Sequence, residues 1–150
     1  VIELDPNDGE AAPGRRVGCR TYLEQAGIPW STVHVAVGHG TARDGYAAAS
    51  RLLTDHPWLT GLVCGNDCMA MGAYAAIREQ GLRVREDVAV IGIDDQELIA
   101  DQVHPALTTV ALPFEEMGQV AVSHLLALME GEEVPAETLL PGTIIRRSSA

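Results

Sequence analysis

Lysine is absent from all 150 residues, so the ten basic residues are all arginine. P-loop phosphate binding needs a lysine and Schiff-base catalysis needs its amine, so both are excluded. Positive charge is scarce as well as uniform. The formal net charge is −11, and the basic residues cluster only at Arg15-Arg16 with Arg20, Arg83 with Arg85, and Arg146-Arg147. Phosphate neutralisation dominates DNA binding, so such a chain is not a DNA reader by itself. A solvated face accounts for most of these clusters. Cysteine occurs three times, at Cys19, Cys64 and Cys68. An odd count without a framework points to a reducing compartment. Cys64 and Cys68 have no second pair to complete a zinc site, and read as small buried thiols. No apolar run approaches the ~20 residues of a membrane span. Val1-Ile2-Glu3-Leu4-Asp5 has neither a basic leader nor an initiator Met, which reads as a piece of a longer protein.

What is present is an alternation of strand-like and helix-like segments. The length suits one domain with one core. Val1–Leu4 reads as a strand, Asp5–Gly14 as a polar loop, and Arg15–Ala26 as a helix with Val17, Tyr22, Leu23 and Ala26 on one face. Val33–Val37 reads as a strand, Asp44–Asp55 as a helix and Thr60–Cys64 as a buried strand. Asp67–Gln80 reads as a helix closed by Gly81, followed by a buried strand at Val88–Ile93 and a further strand at Leu107–Val110. Pro113 suits the first position of a helix that runs to Glu130. Phe114, Met117, Ala121, Leu125 and Leu128 form its apolar stripe. Thr138–Ile145 closes the chain as a strand. Strands separated by helices of this length imply βαβ units, a mostly parallel sheet and a three-layer α/β/α sandwich.

Two strands end in polar residues: Leu62-Val63-Cys64 leads into Asn66-Asp67, and Val88–Ile93 leads into Asp94-Asp95. In open parallel sheets, ligands bind beyond the carboxyl ends of the strands. Asn66 or Asp67 is expected to cap the helix that follows, which is compatible with ligand contact because Asn both donates and accepts. Asp94 can accept two hydrogen bonds from a ligand, or the acid pair can simply open a turn. Asp67, Asp94 and Asp95 could also hold Mg²⁺ for phosphoryl transfer, although the lysine usual in such sites is missing. Arg15 opens a helix, where a cation opposes the macrodipole, and therefore needs an anion or a hydroxylated ligand. Ser31, Ser50, Ser123, Ser148 and Ser149 lack a nucleophile-elbow setting. The five histidines are scattered, with His34 in a strand and His124 on a helix.

Seven segments, in order and with natural spacing, resemble the lactose/galactose-repressor family. They begin with Arg15-x-x-Gly18-x-Arg20-x-x-Leu23-x-x-Ala26-Gly27-Ile28, then Gly45-Tyr46-x-Ala48 with Leu52-Leu53, then Asn66-Asp67-x-Met69-Ala70-x-Gly72-Ala73. Gly81-Leu82-x-Val84-x-Glu86-Asp87-Val88 through Gly92-Ile93-Asp94-Asp95 follows. Leu107–Val110, Glu116-Met117-Gly118 and Ile145–Ser149 complete the set. The resemblance implies a type I periplasmic-binding-protein-like core, in which residues 1–150 form the C-terminal lobe. The helix at about 113–130 would belong to the other lobe. It further implies that Arg15, Asn66, Asp94 and Phe114 contact a small-molecule effector, a sugar or related metabolite. Gly40, Ile93 and Cys19 stand where the family often has aromatic residues.

The function so implied is effector sensing in a cytoplasmic transcriptional regulator that controls DNA binding allosterically. Operator DNA would be reached only through an N-terminal domain absent from this chain. No cofactor, metal site, catalytic residue or membrane contact is expected. A sugar-transport solute-binding protein and a Mg-dependent phosphoryl-transfer enzyme are the alternatives. Family cores pair two-fold, so a homodimer is expected through the helix carrying Met69, Met71, Ala73, Tyr74 and Ile77. Its apolar residues exceed one core-facing stripe and should leave an outward strip.

Overall fold

The computed structural model describes residues 1–7 and 11–150, with nothing said of the Ala11 side chain. The central part of the expected Asp5–Gly14 loop therefore lies outside the described residues. Among the described residues six strands and four helices follow one another: β1 (Ile2–Leu4), α1 (Ala11–Gln25), β2 (Ala36–Gly38), α2 (Ala42–Asp55), β3 (Gly61–Val63), α3 (Asp67–Glu79), β4 (Ala89–Asp94), β5 (Thr108–Ala111), α4 (Phe114–Met129) and β6 (Thr143–Ile145). A short 3₁₀ turn at Trp30–Thr32 displaces the second strand to Ala36–Gly38, so His34 lies before it rather than in it. α1 begins at Ala11 and holds Pro13 in its first turn, where a missing N–H costs nothing.

β1 pairs with β2, and β3-β4-β5-β6 form a second ladder. One parallel bridge, Ile2 to Cys64, joins β1 to β3, and the Gly65 amide donates to the Ile2 carbonyl at 2.7 Å. The strands therefore run β2-β1-β3-β4-β5-β6. All neighbours are parallel except β6, which runs antiparallel to β5 and is shorter than the segment the sequence suggested.

Side chains alternate across the sheet. Ile2 enters the core beneath α2 and α3, while Glu3, next to it, meets Arg16 of α1 on the other face. The three layers are thus α1, the sheet, and α2 with α3. The apolar face expected of α1 is not buried: Val17 is 61% and Tyr22 72% exposed.

α3 is sunk into the chain because it touches α2 backbone to backbone. A Cβ on Gly72 would lie 1.9 Å from the Ala42 carbonyl oxygen, and one on Gly45 would lie 2.1 Å from that of Met69. Two glycines facing each other let the helices close until side chains on either flank of α3 are covered. Met69, Ala73, Tyr74 and Ile77 are buried as a result, and Tyr74 donates its hydroxyl to the Pro105 carbonyl at 2.9 Å. The expected outward strip on this helix is therefore not formed. Of its five expected interface residues only Met71 is exposed. Gly72→Ala should destabilise the fold by about 1–3 kcal/mol through overpacking. Urea denaturation of the two chains would measure the loss, and an unchanged midpoint would refute the close helix contact.

Candidate functional site

β3 and β4 end side by side, and the residues after them form a crevice floor. Arg15 spans it from α1. Its Nη2 donates to Asp94 Oδ1 at 2.8 Å and its Nη1 to the Gly65 carbonyl at 2.5 Å. α1 begins at Ala11, so Arg15 stands in its second turn rather than opening it as expected, and the anion beside it is Asp94. The pair is partly buried, with about a fifth of each side chain or less exposed.

Asn66 adjoins Gly65 and is already engaged. Its Oδ1 caps α3 by accepting from the Met69 amide at 2.8 Å, and its Nδ2 donates to the Gly40 carbonyl at 2.9 Å. One N–H and one lone pair remain available to a ligand. Gly40 has φ +80, a conformation that favours glycine, and a Cβ there would sit 3.3 Å from Asn66 Nδ2. Phe114 begins α4, three residues beyond Ala111, which pairs in register with Asp94. It is 60% exposed.

The three acids considered for Mg²⁺ are each engaged elsewhere. Asp67 has no solvent exposure; its Oδ1 accepts from the Thr109 hydroxyl at 2.6 Å and its Oδ2 from the Gln96 amide at 2.8 Å. Asp94 holds Arg15. Asp95 Oδ1 lies 2.8 Å from Arg147 Nη1, an ion pair outside hydrogen-bonding geometry. Among the described residues no group of three such side chains is spaced to hold a metal ion. Arg147 also meets Asp101 at 2.5 Å and donates to the Leu107 carbonyl at 3.0 Å. Arg147 is a half-buried tie, which corrects the expectation of a solvated residue there, while Arg146 is exposed.

Sequence reasoning passed over Gln96, Thr109 and Arg147. Gln96 links the buried acid to the crevice, since its side-chain amide donates to Asp94 Oδ2 at 3.3 Å and its Oε1 accepts from Cys68 Sγ at 3.5 Å. No local signal marks Gln96. The small polar Thr109 within an apolar strand was a signal for a buried partner.

A family model described as a periplasmic binding protein-like domain matches residues 2–150. The chain belongs to this family. It is 37% identical over 139 residues to the HTH-type transcriptional repressor PurR of Yersinia pestis bv. Antiqua, an alignment covering 91% of this chain and 40% of that protein. The PurR of Photorhabdus laumondii subsp. laumondii is 39% identical over 137 residues, covering 90% of this chain and 40% of that protein. A Lac repressor dimer bound to operator and the anti-inducer ONPF superposes with a TM-score of 0.89 at 34% identity, over 99% of this chain and 51% of that one. A complex of the transcriptional regulator CelR with cellobiose superposes at 0.90 and 32% identity, over 99% of this chain and 46% of that one. These likenesses bear out the resemblance read from the sequence. The chain spans 40% of the length of the two repressors.

In this periplasmic binding protein-like fold, the crevice depends on Asp67. Burial pushes its carboxyl up from the usual range, and the bonds from Thr109 and Gln96 offset only part of that. A carboxyl whose folded pKa exceeds its unfolded value binds more protons when folded, so its contribution to stability falls as pH rises between the two values. The Asp67→Asn variant should lack this slope. It should also lose about 1–3 kcal/mol at neutral pH, because a charged group accepting two bonds is replaced by a neutral amide with one acceptor oxygen. Thermal denaturation of both chains from pH 7 into the acid range would test this, and parallel pH profiles would refute it.

Proposed function

We propose that this chain is the C-terminal lobe of the effector-sensing domain of a lactose/galactose-repressor type transcriptional regulator. The observation that carries the reading is the Arg15–Asp94 pair laid across adjacent strand ends. Each group has donor or acceptor capacity left over, and the pair sits where parallel sheets bind ligands. A sugar or a similar metabolite fits, because its hydroxyls both donate and accept. The repressor relatives and the cellobiose-bound neighbour support the same class. Arg15, Asn66 and Asp94 would contact the effector from this lobe, and Phe114 from the start of α4.

The lobe assignment rests on what this chain leaves uncovered. α4 has no buried residue; Met117, Val122, Leu125, Leu126, Leu128 and Met129 are all exposed. Such a stripe fits a helix that packs on a second lobe. Effector binding would then shift the regulator between DNA-binding states through differential contacts at the lobe interface. DNA contact, the homodimer and a cytoplasmic setting belong to the whole regulator under the same proposal. Of the interface residues expected on α3, Met71 is the one left exposed for a two-fold contact.

Asp94→Ala should cost at least tenfold in effector affinity, in line with about 1–3 kcal/mol for a lost acceptor, while the circular dichroism spectrum is retained. Thermal shift of the full-length protein with lactose, cellobiose and adenine would supply the ligand. Equal affinity in the variant would refute the site. The isolated 150-residue chain should self-associate through α4. Sedimentation of Leu126→Glu should then show more monomer than Met71→Glu, and the reverse order would place the contact on α3.

A further inference from the structure

One buried charge is used neither by the crevice nor by the core. Glu3 is 5% exposed, and among the described residues neither carboxylate oxygen has a hydrogen-bond partner. Arg16 Nη1 approaches Oε2 at 3.2 Å but outside hydrogen-bonding geometry, and the Arg16 side chain is 45% exposed. A carboxylate held from water with so little compensation is costly to the fold.

Glu3 lines a cavity of about 30 Å³ beneath α1, whose other walls include Arg15, Arg16, Cys19, Cys64 and Gly65. That volume suits one water-sized group. Arg15 and Gly65 belong to this cavity and to the crevice alike, because the Arg15 guanidinium bonds Gly65 while holding Asp94. Asp94 is paired with Arg15 and Glu3 faces Arg16, and the cavity wall shared by Glu3, Arg15 and Gly65 sets Glu3, with neither oxygen hydrogen-bonded, beside the Arg15–Asp94 pair.

We propose that Glu3 is a second polar subsite of the effector crevice and accepts a hydrogen bond from a hydroxyl or amino group of the ligand. This rests on the effector-sensing reading above and adds the recognition chemistry. The effector carries a neutral or cationic donor at the end that enters beneath α1. A carboxylate or phosphate at that end would be repelled by Glu3. The residue is thus a specificity determinant whose cost to stability is offset when the ligand binds.

The test compares full-length wild type, Glu3→Gln, Glu3→Leu and Asp94→Ala. Melting is followed alone and with lactose, cellobiose, D-glucosamine and adenine, and affinities are measured by calorimetry for each probe that shifts the wild type. The expected result has two parts. Without ligand, Glu3→Leu melts at or above the wild-type temperature, because an undercompensated charge has been removed. With ligand, Glu3→Gln and Glu3→Leu weaken binding at least tenfold. A drop in the ligand-free melting temperature of Glu3→Leu would make the residue a structural partner of Arg16 and overturn the subsite. Unchanged affinity in both Glu3 variants, with loss in Asp94→Ala, would overturn the subsite alone. No shift of the wild type by any probe would overturn this class of effector and the subsite with it.

Discussion

A carboxylate with no access to solvent ties the carboxyl ends of β3 and β4 to the middle of β5. Asp67 follows β3, accepts the backbone amide of Gln96 just after β4, and accepts the hydroxyl of Thr109 within β5. It is also the first residue of α3, where the helix dipole favours negative charge. The space for it is made by Gly92, where a Cβ would lie 2.1 Å from Asp67 Oδ1. Charge-assisted bonds in a dry setting are short and directional, so they fix geometry more than they add stability. The crevice inherits that geometry. Gln96 carries it to Asp94, and Asp94 to Arg15.

The adjacent acids Asp94 and Asp95 do different work because the chain turns where β4 ends. Asp94 takes Arg15 and faces the crevice. Asp95 takes Arg147, which also holds Asp101 and the Leu107 carbonyl. Both residues have positive φ, 114 and 54, so the chain turns sharply here and the two carboxylates part. One motif thereby links the candidate effector site to the closing segment of the chain. Ser149 continues that link, receiving the Thr108 amide and donating to the Val90 carbonyl.

Packing divides the molecule unevenly. α2 and α3 close on each other through Gly45 and Gly72 and cover one face of the sheet. On the other face α1 covers only the β1 end, and Val63 and Ile91 remain half-buried. α4 buries nothing. The distribution of uncovered apolar surface follows the sheet, not the hydrophobicity of the helices. α4, the more apolar helix over its length, is the one left uncovered, and α3 is the buried one.

The sequence by itself determined the alternation of elements, the parallel sheet, the strand ends at Asn66-Asp67 and Asp94-Asp95, and the cap at Asn66. Those features follow from local periodicity, turn residues and side-chain chemistry, which need no knowledge of distant neighbours. It did not determine which helix would be covered. Apolar spacing marked α3 as having surface to spare, and the fold buries it, whereas α4, which the resemblance assigned to the other lobe, has no buried residue here. Burial is a property of what lies across the contact, and the Gly45–Gly72 approach joins residues 27 positions apart in sequence. The same limit hid Arg147, which looked like a solvated terminal cation until the fold set it beside Asp95 and Asp101. It hid Glu3 as well, because an acid in a short strand reads as an exposed edge until a helix is laid over it.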